Sequence, residues 1–215
     1  VPDSVTPDVA DLSENFTPQN TWTDNGALTG QDISGGTLNW VTHRDGTLAN
    51  HISHDLGSTV SDTAWTLRFQ LSIDSDYNNA NDGYGFHSGF SLTEVPTGTG
   101  NAVTGYDGIG ISMTSGSSGA SDSKYFVGYI NEGKMYEHYN GNGQGNYLTE
   151  TISASDLYYV QIVRDGDDVT LSLFNNADYT GLEEDKTITL PSGVEDLRYL
   201  RAFTSIDDNL GSSVL

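Results

Sequence analysis

Apolar residues recur at every second position through most of the chain. The segments between these runs are rich in Gly, Asn, Asp and Ser, and no apolar stripe at helical spacing continues beyond two turns. Together these observations predict an all-β protein, a two-sheet antiparallel β-sandwich of the jelly-roll type. The clearest strand is AWTLRFQLSI (64–73). There Trp65, Leu67, Phe69, Leu71 and Ile73 alternate with Thr66, Arg68, Gln70 and Ser72, as a strand with one buried and one wet face requires. GIGISMT, KYFVGYI, KMYEHYN, YYVQIVR, DVTLSLF, KTITL and LRYLRAF repeat the pattern. In VRDGDDV, Asp165-Gly166 is expected to supply the two positive φ angles of a tight hairpin. Trp22, Trp40 and Trp65 are expected in the core, where large aromatic side chains of a sandwich belong.

A chain of 215 residues suffices for one large all-β domain with a substantial core. Residues 1–15, VPDSVTPDVADLSEN, carry two prolines and few apolar groups, so they are read as an N-terminal arm or linker, with residues 16–215 as a single domain. The 30 acidic residues against 8 basic ones give a formal charge of -22, distributed along the whole chain. Such a charge excludes nucleic-acid binding by phosphate neutralisation and attraction to an anionic membrane surface. It suits a saline medium, where counterions screen self-repulsion. No run approaches the roughly eighteen apolar residues of a membrane span, so membrane insertion is not expected. The absence of cysteine excludes a disulfide framework and thiolate metal sites.

The segments FTPQNTWTDNGALTG (16–30), LNWVTHRDGTLANHISHDLGSTVSDTAWTLRFQLSI (38–73), LYYVQIVRDGDDVTLSLFNNADYTG (157–181) and LRYLRAF (197–203) resemble the concanavalin A-like, laminin-G-like jelly-roll domains of large surface proteins from marine archaea and other marine microbes. The resemblance spans roughly residues 14 to 207. It implies an extracellular module on a cell or virion surface that binds glycans, with calcium as an associated cofactor. The C-terminal stretch RAFTSIDDNLGSSVL departs from the closing strand of that family.

Related domains that hydrolyse β-glucans use a Glu-x-Asp-x-Glu strand, whose period of two sets carboxylates on one face. No such triplet occurs here, and Glu132 and Glu137 are at an odd spacing across a Gly-Lys turn. A lyase needs a base and a group that neutralises a uronate carboxylate. Arg68, Gln70, His87 and Gln161 stand at wet positions and would serve if one sheet face brought them together. The enzyme reading, lyase or hydrolase, therefore ranks third.

Metal chemistry enters at two places. His51 and His54 in NHISHD are three apart, which on a strand puts them on opposite faces and prevents joint chelation. In DSDYNNANDGYG, Asp74, Asp76, Asn78 and Asp82 are hard oxygen donors suited to calcium, but Asn79 and Gly85 stand where an EF-hand needs Gly and Glu. An Asp/Asn-rich turn over 74–83, with strand resuming at Tyr84, is the favoured alternative to a calcium loop.

Sugar binding needs aromatic faces and planar polar groups. The candidates are Arg68, Gln70, Tyr84 and His87, with Tyr139, Asn142, Gln144 and Tyr147 from the glycine-rich loop YNGNGQGNY. The leading expectation is thus a lectin-like module for a glycan or polysaccharide. The alternative is a structural subunit or repeat of a surface layer, filament or virion, whose partners are neighbouring copies or other surface proteins.

Overall fold

A computed structural model of the chain describes residues 22–24, 32–34, 37–39, 51–72, 86–96, 107–114, 124–131, 134–137 and 157–204. Regular structure among the described residues consists of β-strands, numbered in chain order. Strands β1 (Trp22–Asp24), β4 (His51–Asp55), β13 (Tyr199–Thr204), β6 (Phe86–Thr93), β7 (Gly108–Thr114), β8 (Lys124–Asn131) and β9 (Lys134–Glu137) lie side by side in that order as a seven-stranded sheet. Strands β12 (Leu182–Thr189), β11 (Asp168–Phe174), β10 (Leu157–Asp165) and β5 (Ala64–Ser72) form a four-stranded sheet. A small ribbon pairs β2 (Asp32–Ser34) with β3 (Thr37–Asn39). Adjacent strands run antiparallel in all three. The fold is the all-β, two-sheet sandwich that the alternating pattern predicts.

The core lies between the two larger sheets. Val160 and Ile162 of β10 and Val169, Leu171 and Leu173 of β11 are buried with Ile52, Phe90, Leu92, Ile109, Ile111, Leu200 and Ala202 of the seven-stranded sheet. Phe69 of β5 meets Phe90 across the interface, ring centroids 4.9 Å apart. Each such side chain contributes on the order of 1.5–3 kcal/mol by leaving water, which opposes the entropy lost on ordering the chain. Trp22 and Trp65 are half-buried against this core, as expected. Trp40 falls outside the described residues. His54 is buried, its ring 5.3 Å from that of Trp22.

Local turn chemistry and pairing register give different answers at the β10–β11 hairpin. Asp165 pairs with Asp168, so the two-residue loop is Gly166-Asp167 and not Asp165-Gly166. Of these two loop residues, only Gly166 has a positive φ, 62°. Glycine in the first loop position is the type II′ pattern, which needs one positive φ where type I′ needs two. Asp165 stays in the ladder because Ala64 on β5 pairs with it from the other side.

Two connections close one end of the sandwich. Residues 56–63 lead from β4 to β5, and residues 190–198 lead from β12 to β13. The Val60 N–H donates to the Leu197 carbonyl at 2.8 Å, and the Asp196 N–H to the Asp62 carboxylate at 2.9 Å. The hairpin is fastened to both connections: the Gly166 N–H donates to Thr63 at 2.7 Å and the Leu190 N–H to the carbonyl of Asp167 at 2.7 Å. Leu190, Val194 and Leu197 are buried beneath, with Leu56 and Val60 packed against them.

At the rim, Arg198 holds Asp55 through two bonds, Nε to Oδ1 at 2.7 Å and Nη2 to Oδ2 at 2.8 Å. The Arg198 bond, together with the Gly57 N–H, keeps the Asp55 carboxyl below its ordinary value of 3.8. A depressed folded value means that this contribution is complete above the unfolded value and is lost as pH falls through the folded one. The melting midpoint of wild type is therefore expected to exceed that of Asp55→Asn by a constant margin above about pH 5, with the gap closing in more acid buffer. A gap that persists at the acid end would show that the ion pair is not its source.

Candidate functional site

On β5, Leu67 and Phe69 turn toward the core, so Arg68 and Gln70 turn outward. Register then builds a patch on the outer face of the four-stranded sheet. Gln161 lies opposite Arg68, Tyr159 opposite Gln70, Ser172 opposite Gln161 and Phe174 opposite Tyr159. The Arg68 Nε donates to Gln161 Oε1 at 2.7 Å, which fixes the guanidinium plane.

The loop after β11 folds onto this patch. Asn176 Oδ1 accepts from the Thr180 N–H at 3.1 Å, Asp178 Oδ1 accepts from the Thr180 hydroxyl at 2.7 Å, and the Asn175 N–H donates to the Gly181 carbonyl at 3.1 Å. These bonds hold Tyr179 at φ 57°, a left-handed conformation that costs a bulky residue about 1–2 kcal/mol. The tyrosine ring is held in turn by its neighbours. Arg68 lies over its face at 4.9 Å, Phe174 and Tyr159 approach edge-on at 5.5 and 6.2 Å, and its hydroxyl donates to the Phe69 carbonyl at 3.3 Å. Burial raises the Tyr179 phenol above its ordinary value, against the pull of Arg68, so it remains a donor at neutral pH.

The result is a preorganised surface of one guanidinium, two planar amides and two tyrosines. Arg68 is exposed, and among the described residues its Nη1 and Nη2 make no hydrogen bond or ion pair. Donors in a fixed plane beside aromatic rings can bond hydroxyls and cover the apolar side of a sugar ring.

A second polar locus lies on the seven-stranded sheet, on the side turned away from the core. There Ser53, Arg201, Ser91, Gly110 and Gly128 form one row across five strands. Although the row faces away from the core, Ser53, Ser91 and Arg201 are buried, Arg201 to 1% exposure. The Ser91 hydroxyl is buried and has no hydrogen-bond partner among the described residues.

Of the sequence candidates, Arg68 and Gln70 share one face with Gln161. His87 lies on β6, at a register irregularity between Phe86 and Ser88, and so belongs to the other sheet. The grouping of Arg68, Gln70, His87 and Gln161 on a single face does not form, because β5 and β6 are consecutive in the chain but lie in different sheets. Asp74, Asp76, Asn78, Asp82, Tyr84, Tyr139, Asn142, Gln144 and Tyr147 lie outside the described residues. Among the described residues, no cluster of three or more His, Cys, Asp or Glu side chains could hold a metal ion. No helix among them is long and apolar enough to cross a membrane. Sequence reading missed Tyr159, Tyr179 and Arg201. Tyr159 and Arg201 occupy the outward positions of alternating strands, and NNADYTG marks a turn around Tyr179.

No protein-family model matches the chain, and no curated protein matches it at a significant level. Among solved structures it is similar to the CBM2 module of the evolved Dit of Lactobacillus casei BL23 phage J-1. The identity is 18% over 94% of this chain and 89% of that one, with a TM-score of 0.47. It is similar to alginate lyase Aly36B at 15% identity over 76% of this chain and 66% of that one, TM-score 0.38. A mutant of that lyase in complex with alginate trisaccharide aligns at 15% identity over 86% of this chain and 78% of that one, TM-score 0.42.

Proposed function

We propose that this chain is an extracellular or surface-displayed glycan-binding module that uses the outer face of its four-stranded sheet. The reading is carried by the assembly of Arg68, Gln161 and Tyr179, locked together by a 2.7 Å bond and a 4.9 Å cation–ring contact. Gln70 and Tyr159 extend the same surface by register. A strained tyrosine held by this many partners is more than a turn needs for its own closure, and such outliers concentrate at binding surfaces. Calcium assistance belongs to the same proposal and rests on the oxygen donors Asp74, Asp76, Asn78 and Asp82.

Affinity electrophoresis and calorimetry against neutral, carboxylated and sulfated polysaccharides test the reading, each with calcium and with chelator. Arg68→Ala and Tyr159→Ala are expected to weaken binding about tenfold or more while the melting midpoint stays near that of wild type. Binding unaffected by either substitution, or no binding to any polysaccharide, would remove glycan recognition from this face. A chelator-independent affinity would remove calcium from the proposal.

A second reading, assembly with another copy of the chain, is favoured by Leu157 and Leu182, which are 48% and 55% exposed at the Tyr159 and Phe174 end of this sheet. Light scattering on the same preparation separates the two: a stable oligomer lost in Leu157→Ser supports assembly, and a monomer excludes it.

A further inference from the structure

The core-facing side of β10 runs Tyr158, Val160 and Ile162, and its next position is Arg164, only 6% exposed. The Arg164 Nε donates to the Gly166 carbonyl at 3.1 Å, but its Nη1 is buried without an acceptor among the described residues. Register sets Trp65 of β5 directly opposite Arg164, and among the described residues the Trp65 indole Nε1 also has no acceptor, although it is buried. The neighbour on the other flank is Val169, which offers no polar side chain. Two strong donors therefore stand on adjacent strands, on the same side of the sheet, beneath the end closed by residues 56–63 and 190–198. Their Cβ atoms are about 5 Å apart by the geometry of cross-strand pairs.

A guanidinium cannot relieve burial by releasing its proton, as a lysine could. An uncompensated buried charge is among the costliest features a fold can carry, and a buried N–H without a partner adds to the cost. The chain has 30 carboxylates, yet among the described residues none pairs with Arg164. We propose that Arg164 Nη1 and Trp65 Nε1 jointly bind a small monovalent inorganic anion, chloride in a saline medium. One negative charge balances the one positive charge, and a spherical ion accepts from two N–H donors on neighbouring strands with apolar groups around the rest. A divalent oxyanion would overcompensate the charge and leave acceptor oxygens unmet. A water molecule could accept both bonds but would leave the charge uncompensated.

The test compares thermal melts of the full chain in sodium chloride, sodium bromide and sodium gluconate at matched ionic strength. The midpoint is expected to be about 5 °C higher in the two halides and to rise with the logarithm of halide concentration, as linkage requires. General screening acts equally in the three salts, and Arg164→Met should abolish the halide excess. Equal midpoints in halide and gluconate, or an undiminished excess in Arg164→Met, would overturn the proposal. If the methionine variant does not fold, wild-type crystals grown in bromide decide the matter. An anomalous peak within bonding distance of Arg164 Nη1 and Trp65 Nε1 supports the site, whereas water or empty density there overturns it.

Discussion

Gly110→Val is expected to lower stability by about 3 kcal/mol and the melting midpoint by about 10 °C. Gly110 sits on β7 opposite Ser91 of β6, and a Cβ added there would fall 2.6 Å from Ser91 Cα and 2.5 Å from Ser91 Cβ, and against the Phe90 carbonyl oxygen. Relief requires moving backbone, and β6 cannot move freely because β13 pairs along its other edge. A flexible side-chain tip would yield, but two central strands of a seven-stranded sheet do not. Urea denaturation checks the figure. A variant within about 0.5 kcal/mol of wild type, the range of an ordinary surface change, would mean that β6 and β7 are not so closely apposed. Gly57→Ala gives a useful contrast: nothing lies within 4 Å of an added Cβ, and the strain there comes from its φ of 84°.

Leu171→Ala is expected to cost about 3 kcal/mol, within the usual range for truncating a fully buried leucine. Leu171 is 0% exposed on β11, between Ile162 of β10 and Lys186 of β12. The atoms removed leave a void between two sheets that are each tied by ladder hydrogen bonds and can collapse only partly. Leu182→Ala, at an exposed position at the start of β12, should change stability by less than about 0.5 kcal/mol. Comparable losses in the two variants would contradict the assignment of inner and outer positions.

The contrast between Leu171 and Leu182 shows how far the amino-acid pattern reaches. Successive side chains on a strand point to opposite sides as a property of the local backbone, so alternation alone identifies the strands. It marks Arg68 and Gln70 as outward, and it puts Arg164 in phase with Val160 and Ile162. Gly166 likewise marks a tight turn by its own chemistry. Alternation does not say which strands become neighbours. His87 follows Arg68 by less than one strand and connection, yet it stands in the other sheet. Tyr179 reaches the Phe69 carbonyl from 110 positions away in the chain. The turn at Gly166 acquired its loop positions from the pairing of Asp165 with both Asp168 and Ala64.

The sequence by itself determined the fold class, most strand positions, the absence of cysteine thiolate chemistry, and the outward direction of Arg68 and Gln70. Each of these follows from local geometry or from composition. Only the tertiary structure decided that Gln161, Tyr159 and Tyr179 join Arg68, that Arg201 is buried on a side turned away from the core, and that Arg164 pairs in register with Trp65, each with a buried donor that has no acceptor among the described residues. Those outcomes depend on contacts between residues far apart in the chain. Such contacts are chosen by how the whole core closes, and no short stretch of sequence carries that information.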